Sequence, residues 1–416
     1  KTISKIAHDL WQARGKGLVV AGGIQSRTRD AVALQIAVNF LNSILENEGS
    51  TVDGTSKSNP GSAGFSAVAK LIQEMKTGQV DVLIIHRSNP LYHLPRGVGF
   101  EEAMKKVPLV VSVSDRDDET GKGADFVLPD HHYLENWGDS FSRKGTASIQ
   151  QPVIAPLHNT RSFEDGILVW VKGIGNATGG PALRSASWYD YLQARWKQAI
   201  YQEAKVSGGF ELFWETTLKE GFRNRGTTER VSARKFKTES LSQIPRSTIA
   251  QSEGIKLALY AKASMNDGRS ANNAWLQELP DPISSVTWDN YLNVGPDLAF
   301  HLGVKNDDVV EVSAGDDSVE LPVHVQPGMH DEAVSVAVGY GRRSVGKVGD
   351  FTGVDVTPFI KAKNSQLIYS GQTVSIKKTQ KFYRLASTQW HTATENRPII
   401  NDITLTQFKK SPGASS

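Results

Sequence analysis

The stretch PDHHYLENWGD, residues 129–139, gathers groups that can do chemistry. His131 and His132 precede Glu135, with Asp130, Trp137 and Asp139 around them. Imidazole and carboxylate together serve as zinc ligands or as an acid–base pair. On a helix His131 and Glu135 would share a face one turn apart. Zinc-binding helices read H-E-x-x-H, whereas here the order is H-H-x-x-E, with no third ligand in view and a proline just before. A metal site, an acid–base site and a locally bonded loop all remain open from these residues alone. A second cluster is DRDDETG, 115–121, with four acids within five residues. Dense carboxylates bind magnesium or calcium, but this spacing is not that of an EF-hand loop, and a polar strand-end loop accounts for it as well. The AGG at 21–23 follows an apolar run, yet lacks both G-x-G-x-x-G and a lysine followed by Ser or Thr. G-x-S-x-G does not occur, and no Ser/His/Asp set stands out.

The chain of 416 residues is too long for one ordinary core, so two or more domains are expected. Absence of cysteine excludes disulfides, thiolate nucleophiles and cysteine-ligated clusters, zinc or molybdenum within these residues. A net charge of +3 gives no reason to expect nucleic acid as a partner. No apolar run approaches the ~20 residues that span a bilayer. The opening KTISKIAHDLWQARGKG has neither a starting methionine nor a signal-peptide pattern, so residue 1 is expected to lie inside a longer precursor.

The elements that would position these groups alternate in type. Apolar periodicity predicts helices over 3–14, 30–45, 65–75 and 100–106. Apolar runs predict strands over 17–23, 80–90, 108–115 and 124–132. Strands separated by helices imply a parallel sheet, with ligands outside the carboxyl ends of its strands. The loops AGGIQSR, HRSNPLYHLP and SDRDDETG fall there. Residues 174–187 read as a glycine-rich linker, 187–204 as an aromatic helix and 223–240 as an exposed basic insert. From Ile255 the period becomes two, in IKLALYAK, DDVVEVSAG, SVELPVHVQ, AVSVAVGYG and QTVSIKKTQ, which predicts a closed or sandwiched β domain.

The order of motifs carries a family resemblance over most of residues 1–405. HRSNP (86–90) precedes PLVVSVSDRDDETGKGADFVLPDHHYLENWGD (108–139) and RKGTASIQQPVIAPLHNTRSFEDGILVW (143–170). This series resembles the third domain of the molybdopterin oxidoreductase, or dimethyl sulfoxide reductase, superfamily. Residues 272–312 and 321–349 are similar to its fourth domain, a six-stranded double-psi β-barrel. The implied fold class is α/β, a Rossmann-like parallel-sheet domain at 1–175, then a linker and helical or basic insert at 176–250. The barrel domain follows at 251–405, with a tail at 406–416.

The phrases LPDHHYLENWGD, NNAWLQELPDPISSVTWDNY, VGYGRRSVGKVG and TQWHTATENRPIINDITLTQFKKSP are more narrowly similar to the large periplasmic subunit of bacterial alternative complex III. That resemblance implies a structural, electron-route part in a quinol-oxidising membrane complex, without a molybdenum cofactor of its own. It implies iron–sulfur clusters on a cysteine-rich, ferredoxin-like half beyond these residues. It also implies partner cytochrome c subunits, a membrane quinol-binding subunit and a periplasmic location. Were a molybdopterin guanine dinucleotide bound instead, Asn89, Asp115, Glu119 and Thr120 would face it from the strand ends, with Asn272 or Asn273 and Trp275 from the barrel; hydrogen bonds between loops explain the same residues. Trp137, Trp275, Trp288 and Tyr291, set in loops, are expected to anchor domain or partner interfaces. Three functions therefore stand: the non-catalytic respiratory subunit, a fragment of an active molybdenum enzyme, and a periplasmic hydrolase using His131 and Glu135.

Overall fold

The computed structural model describes residues 2–54, 63–143, 145–174, 185–204, 208–224, 234–245, 254–363, 366–388 and 403–411. These divide into two compact units, 1–252 with 357–371, and 253–356 with 372–416.

In the first unit, strands β1 (Val82–His86), β2 (Leu109–Ser114) and β3 (Phe126–Pro129) form a parallel sheet in that order. His86 stands opposite Val113, and Ser114 opposite Pro129, so the three strands end side by side. Alternation explains the packing. Leu83 and Ile85 of β1 point into a core with Ile72 and Met75 of the helix Phe65–Lys76 and with Phe100, Ala103 and Met104 of the helix Phe100–Met104.

The strand expected at 17–23 does not form. The Asn42 side chain takes the place of a neighbouring strand, accepting from the Val19 N–H at 3.0 Å and donating to its carbonyl at 2.8 Å. With its N–H and carbonyl both met by this distant side chain, Val19 needs no ladder partner. Leu18 and Val20 stay exposed, as do Ile3 and Ile6 of the helix Thr2–Gln12.

Part of the expected linker and insert belongs to the first unit's core. Strands β4 (Gly138–Arg143), β5 (Thr146–Gln150) and β6 (Phe222–Asn224) make a small antiparallel sheet. Leu192, Trp196, Ile200, Phe213 and Trp214 pack on Ala147 and Ile149 of β5. The aromatic helix is thus a core element, because its large apolar side chains find a sheet face to cover. Within it, a wider π turn spans Trp196–Tyr201. Residues 175–184 and 225–233, with most of TQWHTATENRPIINDITL, lie outside the described residues.

The second unit contains a closed six-stranded barrel, as the family resemblance implies and as one of the two forms that the period-two pattern allows. Its strands are β7 (Ile255–Ala261), β8 (Leu292–Val294), β9 (Asp308–Ala314), β10 (Asp317–Val325), β11 (Ala333–Val338) and β14 (Ser370–Phe382). Between β11 and β14, the short pair β12 (Lys361–Lys363) and β13 (Gln366–Ile368) sits in the segment that packs with the first unit. There the Tyr369 N–H donates to the Arg27 carbonyl at 2.8 Å. Every second barrel residue faces inward, and Leu257, Leu259, Val310, Val312, Leu321, Val323, Val334 and Val336 are fully buried. Gly341 has φ of 69°, and a Cβ there would meet the Asp355 backbone, so the turn after β11 requires glycine.

Tyr291 is not a loop anchor. It is buried beside Ser284, whose hydroxyl shares a 2.5 Å hydrogen bond with its own. Strand β8, which follows it, has only three residues, too few to show a period.

Candidate functional site

The carboxyl ends of β1, β2 and β3 bring two polar groups together. The first centres on Asp130, directly after β3 and almost fully buried. Its Oδ2 accepts from His86 Nε2 at 2.9 Å and Arg87 Nε at 2.5 Å. Its Oδ1 accepts from the backbone N–H of His131 at 2.9 Å and of Phe163 at 3.0 Å. Burial pushes this carboxyl up, but the His86 hydrogen bond and the Arg87 guanidinium outweigh it and hold the pKa below the ordinary value. Arg87 also donates to the His131 carbonyl at 2.6 Å, and His86 stacks on Phe163 at 4.1 Å. Arg87 adopts φ of 46°, a conformation that a side chain tolerates only when such contacts fix it.

The second group joins Asn89, Glu119 and Thr120, three residues singled out from the sequence. Asn89 Nδ2 donates to Glu119 Oε2 at 2.7 Å, and Thr120 Oγ1 donates to Asn89 Oδ1 at 2.7 Å. Thr120 Oγ1 also accepts from the Leu91 N–H at 3.2 Å. Asp118 folds the loop, with Oδ1 accepting from the N–H groups of Thr120 and Gly121, each at 3.0 Å. Asp115 is exposed and chelated by Arg116, with Nη2 at 2.7 Å and Nε at 3.1 Å.

Asn273 and Trp275 belong to the second unit. Asn273 caps the helix Ala274–Glu278 by accepting from the Leu276 N–H at 3.2 Å, and Trp275 is 84% exposed. Asn272 accepts from the Val348 N–H at 3.1 Å.

Around the two histidines the geometry is that of a cap. His132 precedes a single turn, Tyr133–Glu135, and Glu135 Oε2 accepts from the His132 N–H at 2.9 Å while His132 Nδ1 accepts from Leu134 at 3.3 Å. Glu135 Oε1 takes the Leu157 N–H at 3.0 Å. These N–H donors hold Glu135 below its ordinary pKa. His131 Nδ1 pairs with Thr160 Oγ1 at 2.6 Å. His131 and Glu135, the pair on which a hydrolase would depend, thus both make hydrogen bonds within the loop. Among the described residues no group of three or more His, Asp or Glu could hold a metal ion.

The residues singled out for a pterin dinucleotide do not fit its pyrophosphate. The Thr120 hydroxyl hydrogen goes to Asn89, and the Asn89 amide serves Glu119. That loop also carries four carboxylates, Asp115, Asp117, Asp118 and Glu119, against one cation, Arg116, which is paired with Asp115, so its net charge repels phosphate.

The sequence marks Asp130 only as a neighbour of the histidine pair, and gives His86 and Arg87 no role of their own. Their signal is positional, since each stands at or just past the end of an observed strand, β1 or β3.

No family model matches the chain. Among curated proteins, the molybdopterin-binding-like subunit of menaquinone reductase from Nitratidesulfovibrio vulgaris is 25% identical over 327 residues, covering 74% of this chain and 43% of that protein. The molybdopterin-containing subunit ArrA of arsenate respiratory reductase from Shewanella sp. is 23% identical over 341 residues, covering 65% of this chain and 40% of the other. The chain is thus similar in sequence to members of the molybdopterin oxidoreductase superfamily. It spans less than half the length of these superfamily relatives. Among solved structures, acetylene hydratase from Pelobacter acetylenicus matches with a TM-score of 0.49 and 14% identity, covering 76% of this chain and 47% of that one. Among the described residues no helix is long and apolar enough to cross a membrane.

Proposed function

We propose that this chain is a molybdopterin-oxidoreductase-like part of a periplasmic, quinol-oxidising respiratory complex of the alternative complex III type, structural in role and without a molybdenum cofactor of its own. The observation that carries the reading is the closed bonding at the strand ends. Side chains that would greet a dinucleotide bond one another, and the loop beside them is acidic. The similarity to a menaquinone reductase subunit described as molybdopterin-binding-like supports it. In this reading a ferredoxin-like half carries iron–sulfur clusters, cytochrome c subunits take the electrons, and a separate membrane subunit binds quinol.

The test is metal and nucleotide analysis of the full-length protein purified from its native host. Iron well above molybdenum, with no guanine nucleotide released on denaturation, is the expected result. A molybdenum-to-protein ratio near one would overturn the proposal. It would favour a second reading, a fragment of an active molybdopterin guanine dinucleotide enzyme, which the similarity to the molybdopterin-containing ArrA subunit supports.

A further inference from the structure

The first unit holds a cavity of about 280 Å³ beside the cap at Glu135. Its size is at the small end for ligand sites and suits one side chain rather than a nucleotide. Three aromatic residues wall it, Trp137, Trp188 and Tyr189. They are held in place. Trp188 Nε1 donates to the Trp137 carbonyl at 3.0 Å, Trp188 stacks on Tyr191 at 4.9 Å and 14°, and the Trp137 and Tyr189 rings lie 4.6 Å apart.

Two acidic residues line the same space, Glu135 and Asp165. Each oxygen of Glu135 accepts one backbone N–H. Asp165 Oδ1 accepts from the Trp188 N–H at 2.7 Å, and Oδ2 from the Ser162 hydroxyl at 2.7 Å. A carboxylate has about four acceptor positions, so each retains capacity after these bonds. No lysine or arginine is among the twelve lining residues, and His131 is the one basic side chain there. The cavity therefore concentrates negative charge between flat, rigid aromatic faces.

That combination selects among cations. An ammonium is compact and strongly hydrated, and gains little from a flat apolar wall. A guanidinium is planar and weakly hydrated, stacks on aromatic rings and donates in its own plane to carboxylates. We propose that this cavity receives a guanidinium group, presented as an arginine side chain by a partner polypeptide. Glu135 and Asp165 accept its N–H groups, and the aromatic walls cover its faces. The inference stands independently of the respiratory assignment, because it uses none of the strand-end residues.

Calorimetric titration of the full chain tests it, with Nα-acetylarginine amide, Nα-acetylcitrulline amide and the peptide Gly-Arg-Gly as probes. Citrulline keeps the shape and loses the charge. The expected result is arginine amide binding roughly tenfold tighter than citrulline amide, with the peptide tighter still. Asp165→Asn should weaken arginine binding. Should that variant fold poorly, Ala155→Trp at the exposed rim blocks the cavity while leaving the thermal midpoint unchanged, and should abolish binding. Equal affinity for the two amides, or undiminished binding in the blocked variant, would overturn the proposal. Arginine amide binding as tightly as the peptide would overturn the polypeptide source, in favour of a free guanidine compound.

Discussion

The strand-end loops of the first unit and the buried polar cluster of the barrel manage charge in opposite ways. At the strand ends, Asp130 is buried but ionised, because His86, Arg87 and two backbone N–H groups compensate it. In the barrel, Lys262 is buried, with Nζ donating to the Asp289 carbonyl at 3.1 Å and lying 4.5 Å from the Tyr291 ring centre. Burial pushes its pKa down to about 8, although Asp281 and Asp289 pull the other way. Burial also raises Tyr260, Tyr291 and Tyr340, and lifts Tyr383 to about 12. One region keeps its charge by pairing it. The other tolerates charge poorly and stabilises neutral forms. The paired network is a rigid support for loops, whereas the barrel cluster is a reservoir of unfavourable charge that a change of pH can relieve.

Asp130→Ala tests the first half and should have the largest effect. It strips the acceptor from Arg87, His86 and two backbone N–H groups, and breaking such a buried arrangement costs about 3–5 kcal/mol. Chemical denaturation would show it as a fall in midpoint at unchanged slope. The pH dependence has a definite sign. The folded pKa lies below the ordinary carboxylate value of 3.8, so the stabilisation is complete above that value and is lost as pH falls through the folded pKa. The variant should lack this part of the acid-side loss. A variant as stable as the parent would mean the network is ornamental.

Lys262→Met tests the second half, with the opposite sign. The folded lysine titrates near 8 and the unfolded one near 10.5. Below 8 both states are protonated and the buried charge costs stability throughout. Between the two values the unfolded state binds more protons, so stability rises with pH. Removing the ammonium should raise stability at pH 7 by about 1–3 kcal/mol, less whatever the carbonyl and ring contacts contribute. Stability measured from pH 7 to 9, below the range where the buried tyrosines ionise in the unfolded chain, should climb in the parent and stay flat in the variant. A destabilised variant, with no climb in the parent, would show that the ammonium is well compensated.

The two regions also differ in how far the sequence exposes them. The barrel is legible because inward residues alternate over six to thirteen residues in most of its strands, and only the three-residue β8 hides. The parallel sheet is legible from its apolar runs and the turns after them. The segment 17–23 misleads, since its composition is that of a strand while its hydrogen bonds are met by Asn42, a contact 23 residues away. The site is half legible. Asn89, past β1, meets Glu119 and Thr120, past β2, but nothing in the sequence shows that they satisfy each other. Asp130 and Lys262 take their properties from burial and from distant partners, which no local pattern records.

Glu135→Gln probes a smaller version of the paired arrangement. The carboxylate accepts two backbone N–H groups around a single turn, and an amide can accept only one of them well. Losing part of a cap loosens the turn. Hydrogen exchange at the His132 and Leu157 amides should accelerate in the variant. If exchange there is unchanged, those two hydrogen bonds do not hold the turn.

Arg116→Ala should have the least effect on stability, and it sharpens the contrast most directly. Asp115 and Arg116 form a bidentate pair of good geometry, but both side chains remain substantially solvated, at 42% and 33% exposure. Partial burial raises the Asp115 pKa, and the Arg116 hydrogen bond and charge more than reverse it. An exposed pair of this kind contributes about 0–1 kcal/mol, because water competes for both partners and two side chains must be ordered. Denaturation of Arg116→Ala should therefore superimpose on the parent within a few tenths of a kcal/mol. The Asp115 carboxyl, followed by NMR titration, should nonetheless move up in pKa once its partner is gone. A small rise in pKa, matched through linkage by a stability loss of no more than a few tenths of a kcal/mol, confirms that pairing at the surface contributes little. A loss as large as that of Asp130→Ala would show that burial is not what separates the two carboxylates, and the comparison between compensated and solvated charge would fail at its simplest point.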